Sequence, residues 1–173
     1  APTDSVGSGY KKMDQHLEKL ITEYKNKSEF PYKTLVIDSS TIMATEMLNW
    51  LVNFEVGIKR NRDIKSRKVA GLQDYMVFAP TFTEFLMIIL GLPCNVIMTG
   101  HVAITQDELT KEIHRSASIP GKAGKTIGVY FPEVWVTSVD SKGKYMAQTK
   151  ADFRYPCRSQ IQGIPNNVEL NHD

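Results

Sequence analysis

The 173-residue chain has little cysteine, no long apolar run and almost no net charge, and each shortage removes a class of protein. Two cysteines, Cys94 and Cys157, lie far apart and form no C-x-x-C pair. That argues against a disulfide or zinc framework and for a reducing, cytoplasmic setting. The longest apolar run, Phe85 to Leu90, is far shorter than a bilayer requires, so no membrane partner is expected. The first residues, APTDSVGSG, have neither the charged start nor the apolar core of a signal peptide. They begin with Ala1 rather than Met, so a processed chain or part of a longer protein is expected. A net charge of +2 announces no nucleic-acid or membrane partner by itself, so any basic surface has to be local.

What remains is an ordinary globular composition, 42% hydrophobic and 23% charged, without repeats or low-complexity segments. Its length suits one domain with a sizeable core. Residues 1–9 read as a loose lead-in, 10–168 as the core and 169–173 as a tail. Met13, Leu17, Leu20, Ile21 and Tyr24 recur at helical steps, and KNKSEFP ends that helix at Pro31. Thr34 to Ile37 is a continuous apolar strand of the kind buried on both faces of a parallel sheet. Helical spacing returns from Thr41 to Phe54 and again from Leu72 to Leu90, where Pro80 predicts a kink or restart. Gly91 fits the C′ position after that helix.

Asn95 to Thr99 is a second short apolar strand. Residues 101–128 lack clear periodicity and read as a long loop, a length that suggests a function. Val134 to Val139 and Tyr145 to Thr149, joined by SKGK, predict a β-hairpin, and the chain from Ala151 reads as irregular. The expected fold is therefore α/β, a mostly parallel sheet flanked by helices with an antiparallel hairpin at its edge.

The stretch YKTLVIDSST, residues 32–41, carries the first chemical question. An apolar strand runs straight into Asp38 and three hydroxyls. Either Asp38 or Ser39 caps the following helix, or Asp38 lies at the C-terminal edge of a sheet, where such folds bind ligands. A carboxylate there, with the Ser39 hydroxyl beside it, can hold magnesium next to nucleotide phosphates. The second strand, NVIMTGH, also ends polar, at Thr99 and His101. In a parallel sheet both ends share one edge, although a lone histidine is more often structural.

IPGKAGKT resembles the phosphate-binding loop G-x-x-x-x-G-K-[ST], but its first glycine would have to be residue 119, which is Ile119. No apolar strand precedes it and no helical pattern follows, so it is rejected. The cluster Lys59, Arg60, Arg62, Lys65, Arg67 and Lys68 is either a solvated connector or a track for a phosphate backbone. Lys150, Arg154 and Arg158 are ordinary surface charge or reach a phosphate on a neighbouring subunit.

Together, YKTLVIDSST, LPCNVIMTGH, IPGKAGKTIGVYFPEVWVTSV and YMAQTKADFRYPCRS resemble, in order and spacing, the phage-type RecA-like P-loop ATPases associated with DNA recombination and single-strand annealing. The resemblance covers about residues 10–168. It implies that Asp38 is the Walker B aspartate that positions magnesium, and that Thr99 and His101 form the sensor of the γ-phosphate. It implies ATP and Mg²⁺ as cofactors, single-stranded DNA and like subunits as partners, and the cytoplasm of the host cell as location. The segment from Val102 to Thr126, with Lys122 and Lys125, would face DNA or the next protomer, and Arg158 would reach a neighbour's nucleotide. One part of the family pattern is missing. Only 33 residues precede Thr34, and no G-x-x-x-x-G-K-[ST] occurs among them. Removing even one preorganised donor costs about 3 kcal/mol of transition-state stabilisation, so this chain is expected not to hydrolyse ATP alone. The alternative is a non-catalytic structural or DNA-binding module on a degenerate scaffold of the same kind.

Overall fold

A computed structural model describes residues 8–27, 29–53, 70–109 and 111–170. The chain divides into two compact units, Ala1–His101 with Ile119–Ala123, and Val102–Ser118 with Gly124–Asp173. The first unit contains α1 (Ser8–Lys27), β1 (Thr34–Ile37), α2 (Ser40–Asn53), α3 (Leu72–Leu90) and β2 (Asn95–Met98).

Helix α1 turns Leu17 and Leu20 inward, as the three- and four-residue spacing requires. Edge-to-face contacts of Phe30 with Tyr24 and Tyr32 follow at its end, with ring centroids 5.9 and 6.2 Å apart. Helix α2 packs against both α1 and α3. It buries Met43, Ala44, Met47, Leu48 and Leu51, while Ile42 stays exposed. Helix α3 contributes Phe78, Phe82, Phe85, Leu86 and Ile89, and the rings of Phe78 and Phe82 stack at 5.5 Å. Its first turn is closed by the Gly71 N–H donating to the Asp74 carboxylate at 2.7 Å.

Pro80 neither ends nor restarts α3, which runs unbroken to Leu90. A proline leaves the Met76 carbonyl without its helical donor. Both residues are exposed, so water can satisfy that oxygen. Gly91 ends the helix in the right-handed region at φ −81°, not in the left-handed C′ conformation expected from its type.

Strands β1 and β2 pair in parallel, Thr34 opposite Asn95 through Ile37 opposite Met98. Among the described residues the sheet has two strands and one covered face. Leu35, Ile37, Val96 and Met98 are buried or half-buried, whereas Thr34, Val36, Asn95 and Ile97 are exposed. The expectation of burial on both faces is thus corrected, because a sheet this narrow is covered here on one side alone.

The second unit is antiparallel. Val102–Gln106 (β3) pairs with Ile113–Ala117 (β4), so the segment read as a long loop is largely a hairpin. Its β-branched residues are interrupted by Gln, His and Arg, which hides the alternation. A four-residue helix, α4 (Ala123–Thr126), and a 3₁₀ turn (Ile127–Tyr130) follow. Strands β5 (Val136–Val139) and β6 (Tyr145–Gln148) form the expected hairpin. Its turn is held by Asp140, which accepts from the Lys142 and Lys144 N–H groups at 2.8 and 2.9 Å, with Gly143 at φ +80°. The hairpin is not an edge of the parallel sheet. It forms a separate three-stranded sheet with β7 (Asn167–Glu169), in a region read as irregular.

Polar pins hold this second unit. Thr149 is fully buried and its hydroxyl donates to the Pro165 carbonyl at 2.6 Å. Glu133 accepts from the Gln160 N–H at 2.8 Å and the Trp135 indole at 2.9 Å. The Ser159 hydroxyl, the Gln160 N–H and the Trp135 indole together hold its carboxyl below the usual carboxylate range. Burial pushes the Cys157 thiol up, which keeps it protonated and inert.

Substitutions at two positions test these cores by urea denaturation. Leu86→Ala should lose about 2–5 kcal/mol, while Leu86→Met should lose less than about 1.5. Thr149→Val should cost about 0.5–1.5 kcal/mol by removing the hydrogen bond to the part-buried Pro165 carbonyl, and Thr149→Ser should recover most of it. Equal losses for valine and serine would contradict the hydroxyl's role.

Candidate functional site

The site is built where β1 runs into α2 and β2 runs into its exit. Ser39 is the residue that caps α2. Its carbonyl accepts from the Met43 N–H at 3.0 Å, and its hydroxyl accepts from the Ile42 N–H at 3.4 Å. That assignment resolves the question posed by YKTLVIDSST, because the Asp38 carboxylate is left out of the cap. It accepts instead from the Thr99 hydroxyl, at 2.5 Å across the gap between the two strands. Among the described residues Thr99 is its one hydrogen-bond partner.

Three further bonds stitch the same edge. The Thr99 N–H donates to the Ile37 carbonyl at 3.0 Å, and the Ser40 N–H donates to the Thr99 carbonyl at 2.8 Å. The His101 N–H donates to the Thr41 hydroxyl at 3.0 Å. The strand ends are therefore fixed against each other by both backbone and side chain.

Gly100 explains how they come so close. A Cβ on this residue would lie 2.5 Å from the Ser40 hydroxyl oxygen, inside any normal contact. Ser40 is itself buried, so that space is already taken. The glycine in Thr-Gly-His was a sequence signal for this close approach, and composition alone does not reveal it.

The site is open. Asp38, Thr99 and His101 are all exposed, and the His101 ring makes no hydrogen bond among the described residues. Beside Asp38 lies a pocket of about 370 Å³ walled by Met13 and Leu17 of α1, Leu35 and Ile37 of β1, and Ile42 and Met43 of α2. Among the described residues there is no group of three His, Cys, Asp or Glu side chains able to hold a metal. A lone carboxylate flanked by hydroxyls suits magnesium only when phosphate oxygens complete the shell.

The other sequence-predicted residues lie elsewhere. Lys122 and Lys125 are exposed, on either side of Ala123 and Gly124 in IPGKAGKT. The strand before this stretch, β4, is not an apolar one and belongs to an antiparallel hairpin, the four-residue α4 lies within the stretch itself, and a short 3₁₀ turn follows. Gly121 adopts φ +66°, the left-handed region that favours glycine. Arg158 donates through one guanidinium nitrogen to the carbonyls of Gly128, at 2.7 Å, and Phe131, closing the 3₁₀ turn. Lys59, Arg60, Arg62 and Lys65, together with Arg67 and Lys68, lie outside the described residues.

Comparison with known proteins places the chain in a family. A family model described as an AAA domain matches residues 4–155. No curated protein and no solved structure matches the chain. Among the described residues no helix is long and apolar enough to cross a membrane. The small sheets and helices of mixed α/β type are consistent with an AAA-type fold. With the match spanning most of its length, the chain belongs to the AAA-domain family of P-loop ATPases.

Proposed function

We propose that the chain is the C-terminal, larger part of a RecA-like ATPase of phage type that works on DNA in recombination or single-strand annealing. The observation that carries this reading is the Asp38–Thr99 hydrogen bond at the C-terminal ends of adjacent parallel strands. That edge is where open α/β sheets hold ligands.

The family binds ATP with magnesium, and one end of that ligand suits these residues. Magnesium takes hard oxygen donors, which Asp38, Ser39 and Thr99 supply. The phosphate end does not fit, because no G-x-x-x-x-G-K-[ST] occurs in the 173 residues. Backbone amides around the β-phosphate supply much of nucleotide affinity in such proteins. This chain by itself is therefore assigned the metal and sensor positions and no hydrolytic step.

In this reading Asp38 holds the metal, and Thr99, by donating to it, keeps the carboxylate oriented. His101 lies two residues beyond Thr99 and directly precedes the β3–β4 hairpin in the chain. A side chain at that junction is suited to pass the state of the nucleotide into the segment from Val102 to Thr126. Contact of that segment with DNA or a like subunit completes the proposal. The hairpin itself carries Asp107, Glu108 and Glu112 against Lys111 and Arg115, so it has no cationic excess. Attraction for phosphates falls instead to Lys122 and Lys125, with Lys59, Arg60, Arg62 and Lys65. Arg158, occupied with two carbonyls, is better suited to hold its own unit together than to reach a neighbour's nucleotide.

One rival is a non-catalytic structural or DNA-binding module on a degenerate scaffold of the same kind. The two separate at the level of the complete reading frame. Its product should turn over ATP only with magnesium, and Asp38→Asn should lower kcat by about 100-fold or more. The 173-residue chain should bind Mg-ATP with a Kd weaker than about 10 μM, roughly 7 kcal/mol. No ATP turnover by the complete product would favour the rival, and turnover unaffected by Asp38→Asn would remove Asp38 from the site.

A further inference from the structure

We propose that the turn from Lys150 to Tyr155 is a stacking platform for single-stranded DNA. The inference rests on the DNA-acting reading above and assigns it a contact surface outside the stretches considered there.

Phe153 is 86% exposed, a position that forfeits nearly all the burial a phenyl ring can gain. The turn that presents it is nonetheless tightly built. Asp152 accepts from the Arg154 N–H at 2.7 Å and the Tyr155 N–H at 2.9 Å through one carboxylate oxygen. The Asp152 N–H donates to the Tyr155 carbonyl at 3.2 Å. Gln148 secures the entry, its side-chain amide donating to the Lys150 carbonyl at 2.8 Å. The N–H groups of Tyr155 and then Arg154 hold the Asp152 carboxyl below the usual carboxylate range. It is ionised at neutral pH, and the turn should loosen only as pH falls through that lowered value.

Cations accompany the rings. The Arg154 guanidinium lies 5.1 Å from the Phe153 ring centroid, and Arg115 lies 5.3 Å from that of Tyr155. The Arg115 Nε is buried and has no hydrogen-bond partner among the described residues, and its guanidinium packs on the ring. Lys150 is exposed at the start of the turn. Its one carboxylate, Asp152, is engaged by the backbone.

This combination fits a flexible polyanion with flat faces. Bases of any sequence stack on aromatic rings and guanidinium planes, while Lys and Arg neutralise phosphates. A protein partner would be expected to meet a core depleted of charge. From Lys150 to Tyr155 the sole aliphatic side chain is the methyl of Ala151.

The test is titration of the 173-residue chain with a short fluorescein-labelled oligothymidylate, with a duplex for comparison. Phe153→Ala should weaken single-strand binding by about 5- to 150-fold without changing its salt slope. Phe153→Trp should preserve binding, and Phe153→Leu should not. Arg154→Gln should reduce the slope of log K against log salt by about 0.7. The solvent position of Phe153 predicts unchanged melting for all three of its variants. Binding by the wild type that Phe153→Ala and Arg154→Gln leave intact would overturn the platform and spare the DNA reading. Rescue by Phe153→Leu would overturn stacking. No oligonucleotide binding by the wild type would overturn both.

Discussion

A hydrogen bond between the Thr99 hydroxyl and the Asp38 carboxylate joins the ends of two parallel strands, and the candidate site depends on it. The bond is possible because Ser39, not Asp38, caps α2. It is placed by Gly100, whose missing Cβ leaves room for the Ser40 hydroxyl. The surrounding backbone bonds, Thr99 to Ile37 and Ser40 to Thr99, would hold the edge even without the side chains. What the side-chain pair adds is chemical: an exposed acid with its geometry set by a neighbour rather than by solvent.

The two units are stabilised by different means. In the first, α2 packs against α1 and α3, and these helices bury Met47, Leu86, Phe78 and Ile89. Parallel sheets ordinarily have both faces covered, so the open face with Val36 and Ile97 is the exception. In the second unit much of the fixing is polar. Thr149, Glu133 and Arg158 tie loops to carbonyls and N–H groups where, among the described residues, no helix is long enough to supply a large apolar stripe.

Elements with strong local signals were legible in the sequence. The spacing of Leu17, Leu20 and Met47 reports the helices, and the SKGK turn reports the β5–β6 hairpin. The apolar-to-polar switches at Asp38 and Thr99 identify strand ends that do lie together. Less was legible where pairing is non-local. Strand β7 has three residues and is defined by its partner β6, so no periodicity could reveal it. The β3–β4 hairpin is obscured by His114 and Arg115 at strand positions. Arg158 reads as a free cation in sequence, and its carbonyl partners lie 27 and 30 residues away. The exposure of Phe153 likewise follows from the Asp152 turn and not from its residue type.

The most direct test of the shared edge is a double-mutant cycle on Asp38→Ala and Thr99→Val, read by urea denaturation. A hydrogen-bonded pair at this exposed position should show a coupling energy of about 0.5–1 kcal/mol. Strictly additive losses would contradict the account, since two groups that do not sense each other cannot be arranged as one site.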